Sequence, residues 1–323
     1  MRSIDPKQIT VREVFKLMQG GIAPRPIALA STLSPDGIRN LSPFSFFNVM
    51  GGNPPTVVFS PSRRQRDGSL KDTYQNLVAT KECVIQAVTH AMVQQVSLAS
   101  TEYPSDVDEF VKSGLTPIPS DIVKPPRVAE SPFQMECVLR QMINTSDKPG
   151  AGNLAICEVV RFHVAEDIFN ENEIDPQLID LVGRNSADWY TRASGAAIFY
   201  VKKPIDRRGI GFDQIPEFIR KSDIFSANNL GQFGNCEKVP TSDEVRQYTD
   251  TLPAVDGDKS QFERHSRLKD YRMMFQVARS MAERNREEGV RMMQAAAKCA
   301  LDANNDTEFA WSAALYSQQV YRE

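Results

Sequence analysis

The sequence predicts a mainly β chain: an antiparallel barrel with peripheral helices, followed by an α-helical C-terminal extension. Three observations predict it. Short β-rich runs separated by turn residues fill the chain to about residue 205. No GxGxxG follows a candidate strand, which argues against a parallel dinucleotide-binding sheet. After residue 205 helix formers and charges dominate, and apolar residues recur at three- and four-residue steps. The expected domains are residues 1–205 and 206–323.

The strands follow in order. Residues 27–32 form the first, ended by Ser34-Pro-Asp-Gly37, whose Pro-Asp-Gly sets a turn. Residues 39–45 form the second. Residues 56–60 (TVVFS) form another, after Asn53-Pro-Pro has blocked a helix. Residues 82–88 are a further strand. In residues 133–143, Phe133, Met135, Cys137 and Leu139 face one way while Gln134, Glu136 and Arg140 face the other. In residues 154–164 one parity collects Leu154, Ile156, Val160, Phe162 and Val164. Helices fit over 7–18, 71–80, 92–100 and 107–112, the last two flanking a proline-rich surface path. In the extension, residues 262–300 read as one amphipathic helix and 309–320 as a shorter one. Their mixed charges point to packing on protein rather than on a membrane.

Composition excludes several function classes. A chain of 323 residues buries about 75% of its unfolded surface without a disulfide or metal. Lys plus Arg (38) nearly balances Asp plus Glu (41), which argues against a nucleic-acid binder. The five scattered cysteines form no CxxC pair; Cys83, Cys137 and Cys157 read as small core residues. No run approaches a membrane span and the first residues lack a signal-peptide stretch, so a soluble, cytoplasmic protein is expected. His90, His163 and His265 lie far apart without ligand spacing, so no metal site is expected. Asp106, Asp108 and Glu109 read as a solvated helix start.

The chemistry concentrates in residues 24–76. Arg63, Arg64, Arg66 and Lys71, with Gly68 and Ser69 among them, run into a helix that starts near Asp72 or Thr73. Cations beside the free N–H groups of a helix start make a phosphate cradle. An exposed basic loop is the competing reading, and from this piece alone the two stand level. Upstream, Ser42, Ser45 and Asn48 alternate with Phe44, Phe46 and Phe47. Aromatic walls with a few fixed donors suit a flat, half-polar ring. An aromatic core strand is the alternative.

PRPIALAST (residues 24–32), SPFSFFNV (residues 42–49) and Lys71-Asp72-Thr73 with Asn76 together resemble the flavin reductase-like family that includes the flavoredoxins. Further matches extend the resemblance over residues 5–205, among them Asp108-Glu-Phe110, Gly114-Leu-Thr-Pro117, residues 123–131, Val182-Gly-Arg184 and Trp189-Tyr190 with Arg192. It implies an FMN-binding split β-barrel of Greek-key type, working as a homodimer with flavin near the subunit boundary. It implies that Ser45, Phe46, Phe47 and Asn48 line the flavin ring and that Thr32 and Ser60 lie along its chain or phosphate. Lys71, Asp72 and Thr73 would hold the phosphate, with an arginine of the stretch from Arg63 to Arg66. Arg184, Tyr190 and Arg192 would reach toward the pocket. This chain has Ser186-Ala187 where the family usually has Gly-Gly. Residues 209–216 (GIGFDQIP) and 229–234 (NLGQFG) resemble an extension found in part of the family; capping the flavin pocket is one role for it.

The implied activity is passage of hydride or electrons from NADH or NADPH through FMN to an acceptor, either flavin or a partner oxygenase. The alternative is an FMN electron-transfer protein without its own NAD(P)H activity. Because the cofactor carries the difficult step, no catalytic side chain is nominated.

Overall fold

The computed structural model describes every residue except Lys202, Asp206 and Glu323. The chain forms two compact units, Met1–Tyr200 and Val201–Glu323. In the first, α1 (Val11–Gly21) precedes β1 (Ala28–Leu33), β2 (Arg39–Phe44), β3 (Phe47–Gly52) and β4 (Pro55–Phe59). Then come α2 (Asp72–Thr80), β5 (Glu82–Gln86), α3 (Val93–Leu98) and α4 (Glu109–Ser113). Short strands β6 (Pro117–Ile118) and β7 (Arg127–Val128) pair with each other ahead of the long β8 (Phe133–Asn144) and β9 (Asn153–Val164). Two small hairpins end the unit: β10 (Phe169–Asn170) with β11 (Glu173–Ile174), and β12 (Val182–Arg184) with β13 (Tyr190–Arg192).

The main sheet has the order β2-β1-β5-β8-β9-β4-β3, antiparallel throughout. Its two edge strands, β2 and β3, are consecutive in the chain and joined only by the bend at Ser45 and Phe46. From Phe44 to Phe47 the backbone spans at most roughly 11 Å. Seven strands whose outer edges lie that close must curl into a barrel. At the seam between these edges, the Ser60 N–H donates to the Phe46 carbonyl at 2.9 Å, carrying the β3–β4 pairing into the bend. The fold is therefore a mainly antiparallel split barrel with peripheral helices.

Alternation fills the bore. Ala28, Ala30, Val57, Phe59, Cys83, Ile85, Met135, Cys137 and Leu139 form the interior cluster, closed at one end by Leu77 of α2. Leu29 and Leu41 point the other way, under Met92, Val96 and Phe110. Residues 154–164 differ from expectation: Ala155, Cys157 and Val159 face the core, while Leu154, Val160 and Phe162 are exposed. The bore beside β9 is already occupied by Phe59 of β4, paired with Ala155, and Leu139 of β8, paired with Cys157. The smaller side chains of β9 turn inward and the larger ones outward. Cys83, Cys137 and Cys157 are buried and free. Cys137 beside it and burial raise the Cys83 pKa against the opposing pull of Cys157, and Cys83 and burial raise that of Cys157, so both stay protonated.

The second unit is helical: α5 (Glu217–Arg220), α6 (Ala227–Gly234), α7 (Ser242–Asp250), α8 (Lys259–Arg267), α9 (Tyr271–Arg284), α10 (Arg286–Asn304) and α11 (Thr307–Arg322). The single helix expected over 262–300 is three. Lys269 takes the left-handed region (φ 56°) and Asp270 caps α9 by accepting from the Met273 N–H. Asn285 caps α10 in the same way through Glu288 N–H. Gly289 then lets α10 cross α9, because a Cβ there would lie 2.4 Å from the Ala282 Cα. Trp311, Phe233, Phe275 and Phe309 form the core of the unit. Among the described residues no helix is long and apolar enough to cross a membrane.

Candidate functional site

The seam gathers one group of residues around a side chain that sequence reading passed over. Arg25 is 6% exposed. Its guanidinium donates to the carbonyls of Gln19 and Ile22 at 2.7 Å each, to Asn185 O at 2.8 Å, and to Ser45 Oγ at 3.4 Å. Its backbone exchanges hydrogen bonds with Arg184, at 2.9 and 2.8 Å. Arg25 thus ties the end of α1, the seam and the β12–β13 hairpin into one structure. Burial, with Arg184 nearby, lowers its pKa, yet a guanidinium remains charged. Gly183 permits this approach, since a Cβ there would meet Pro24 Cβ at 2.7 Å. Phe46 lies at the seam, its ring 6.1 Å from Phe15 and 6.0 Å from the Arg25 guanidinium. Phe47 packs on the barrel interior. Asn48 is exposed on β3 and accepts from the Val49 N–H.

A second group forms at the start of α2. Lys71 is the N-cap residue, and no side chain caps the helix. The N–H groups of Asp72 and Thr73 meet no acceptor among the described residues. The Lys71 ammonium is half-buried and 5.8 Å from the Phe44 ring centroid, with no hydrogen bond among the described residues. Burial, reinforced by Arg64, lowers its pKa. A cation at the positive end of a helix dipole is unfavourable alone and is relieved by an anion. The arginines behave differently. Arg63 donates to Gly68 O and to Asp147, each at 2.9 Å. Arg64 reaches Leu70 O at 2.6 Å, Glu102 at 3.3 Å and Asp72 at 3.7 Å. Arg66 pairs with Asp67. The loop is an ordered turn through Gly68 (φ 72°), and among the described residues Lys71, unlike the three arginines, has no hydrogen bond or ion pair.

The other expected residues are placed as follows. Thr32 and Thr73 are buried, their hydroxyls donating to Asn40 Oδ1 at 3.2 and 2.7 Å. Ser60 Oγ bonds Ser62 Oγ and accepts from the Asn153 N–H. Arg184 donates to Tyr190 OH and Ala187 O and stacks over the Tyr190 ring at 4.6 Å. Ala187 holds φ 49°, a left-handed conformation that glycine adopts at lower cost. Arg192 is committed to Asp180 through two bonds, at 2.7 and 2.9 Å. The acidic group read as a solvated helix start is corrected at one residue: Glu109 is buried, accepting from Asn40 Nδ2 at 3.2 Å and from the Leu41 N–H at 3.0 Å. Burial raises its pKa against the pull of those bonds.

Asp121, Glu136 and His163 bring three ligand-type side chains within 4.8 Å of one another. The Glu136 carboxylate already accepts from the N–H groups of Asp121, Ile122 and Val123, at 2.7, 2.6 and 3.0 Å, and bonds His163 Nε2 at 2.6 Å. Its lone pairs are spent on clamping the 121–123 loop. Burial pushes the Glu136 carboxyl up, but the three N–H groups and His163 outweigh it and hold the pKa at about 2. The clamp's contribution to stability is therefore complete above the ordinary value of 4.5 and is lost as pH falls toward about 2. Urea midpoints of the native protein should drop across that window. Glu136→Gln should be less stable at neutral pH and flatter in acid; an equally steep acid decline in the variant would contradict this.

The flavin reductase like domain matches residues 20–183. An uncharacterized protein of Aquifex aeolicus is 37% identical over 183 residues, covering 56% of this chain and 91% of that protein. Among solved structures, nitrilotriacetate monooxygenase component B from Bacillus cereus is 31% identical with a TM-score of 0.59, covering 62% of this chain and 98% of that one. The 2-nitrobenzoate 2-nitroreductase of Pseudomonas fluorescens is 25% identical with a TM-score of 0.55, covering 62% and 96%. Barrel, seam and sequence agree: the chain belongs to the flavin reductase like domain family.

Proposed function

We propose that the first unit binds FMN at the barrel seam and passes hydride or electrons from NADH or NADPH through it to an acceptor. Family membership supports a flavin-dependent oxidoreductase, and the likeness to a monooxygenase component B supports a partner oxygenase as one acceptor. The observation that carries FMN in particular is the unpartnered Lys71 ammonium beside the free N–H groups of Asp72 and Thr73, a site suited to a phosphate dianion. Phe46 and Ser45 at the seam supply one apolar wall and one polar group for the ring. Bound FMN supplies the two-electron chemistry. The chain binds and orients it, and Arg25 fixes the seam on which it rests. No side chain is needed as a general base.

A homodimer accompanies this reading. Val58, Ile143, Leu154 and Ile156 share the outer face of the sheet, where Ile143 is 39% and Leu154 37% exposed. Such an apolar face suits a second copy. Sedimentation should give twice the chain mass, and Ile156→Lys should shift it toward the monomer; a monomeric native protein would remove the dimer.

The test of function is anaerobic. Protein loaded with FMN should be yellow and should bleach when NADH or NADPH is added without another enzyme. Retained colour with both nucleotides would reject the reductase in favour of an electron-transfer flavoprotein.

A further inference from the structure

A polar network lies beneath the start of α2. Glu109 of α4 accepts from Asn40 Nδ2 at 3.2 Å, and Asn40 Oδ1 accepts from Thr73 Oγ1 at 2.7 Å and from Thr32 Oγ1 at 3.2 Å. Asn76 Nδ2 donates to Thr32 Oγ1 at 3.0 Å. All five residues are buried, with Asn40 at 8% the most exposed. Four elements, β1, β2, α2 and α4, meet in it.

The direction of each bond follows from chemistry. The Leu41 N–H donates to one Glu109 oxygen and Asn40 Nδ2 to the other, so Glu109 holds the Asn40 amide with its NH₂ toward Glu109 and its oxygen toward α2. That oxygen accepts only, so both threonine hydroxyls must donate to it. The Thr73 hydroxyl hydrogen is consumed, and what its oxygen still offers are lone pairs, which a phosphate does not accept. Thr73 can meet an anion through its backbone N–H alone.

We infer that Glu109 is a positioning residue for the phosphate end of the flavin site: through Asn40 it holds the Thr73 hydroxyl, and so keeps the free N–H groups of Asp72 and Thr73 and the Lys71 ammonium aimed at one anion. This rests on the FMN reading above. Gln in place of Glu109 offers both donors and acceptors, so the Asn40 amide is no longer fixed and the first turn of α2 loses its anchor.

The test compares FMN with riboflavin, which lacks the phosphate, in the full-length protein. Glu109→Gln should weaken FMN binding about tenfold, the scale of one hydrogen bond to a charged group, and riboflavin binding by less than about twofold. Thr73→Val should do the same, Thr73→Ser should keep native affinity, and the Glu109→Gln/Thr73→Val double variant should lose no more than either single one. If Glu109→Gln leaves the FMN preference intact or weakens both ligands equally, the positioning role is overturned. Should Glu109→Gln not fold, an unchanged FMN preference in Thr73→Val overturns it equally. Lys71→Ala reports on the underlying reading: if the native protein does not distinguish FMN from riboflavin, or Lys71→Ala leaves that distinction whole, phosphate binding here fails and the inference falls with it. A Lys71→Ala effect without a Glu109→Gln effect removes the positioning role alone.

Discussion

Lys71→Ala is expected to weaken FMN binding by about 10- to 100-fold, because a hydrogen bond between charged groups contributes about 1.5–3 kcal/mol. Riboflavin affinity and thermal stability should move little, since among the described residues the ammonium makes no hydrogen bond or ion pair, only a contact with the Phe44 ring. Removing a half-buried cation from beside Arg64 and an uncapped helix start relieves repulsion in the free protein. The variant should therefore be at least as stable as the parent without ligand and weaker with it, a pairing that a merely structural lysine would not give. Fluorescence titration with the two flavins and a melting curve suffice to check it.

Arg25→Ala has the largest expected effect on stability. It leaves the carbonyls of Gln19, Ile22 and Asn185 without their donor, in a place too buried for water to substitute freely. At about 1–3 kcal/mol for each lost partner, the first unit should lose about 3 kcal/mol or more. That corresponds to a fall in melting temperature of roughly 6–12 °C for a unit of this size. Arg25→Lys should recover only part, because one ammonium cannot span acceptors on three segments. The seam should also loosen through Ser45, so flavin affinity should fall for FMN and riboflavin alike. That distinguishes the role proposed for Arg25, at the ring end, from the one proposed for Lys71, at the phosphate. A melting temperature within about 2 °C of the parent would contradict the hub.

What the sequence disclosed was whatever depends on near neighbours. The start of α2 follows from cations, a glycine and a helix signal within a dozen residues, and it lies where expected. The β8 alternation follows from a period of two. Features built from distant partners stayed hidden. Arg25 finds an acceptor 160 residues away, and Glu109 a donor 69 residues away, so one read as part of a motif and the other as solvated. The inverted parity of β9 depends on Phe59 and Leu139 of the strands beside it, which its own residues do not encode. The division of the long C-terminal helix was legible in principle, since Asp270 and Asn285 are good N-cap residues. The apolar spacing that runs through both masked it. At the candidate site, the internal partners of the side chains were hidden: Thr73 is committed to Asn40, Arg192 to Asp180, and Arg63 to Asp147.

The most direct test is a crystal structure of the full chain grown with FMN. The phosphate should sit within hydrogen-bonding distance of Lys71 Nζ and the Asp72 and Thr73 N–H groups, with the ring against Phe46 at the seam. FMN bound elsewhere, or a phosphate held by Arg63 and Arg192 with Lys71 turned away, would contradict the account.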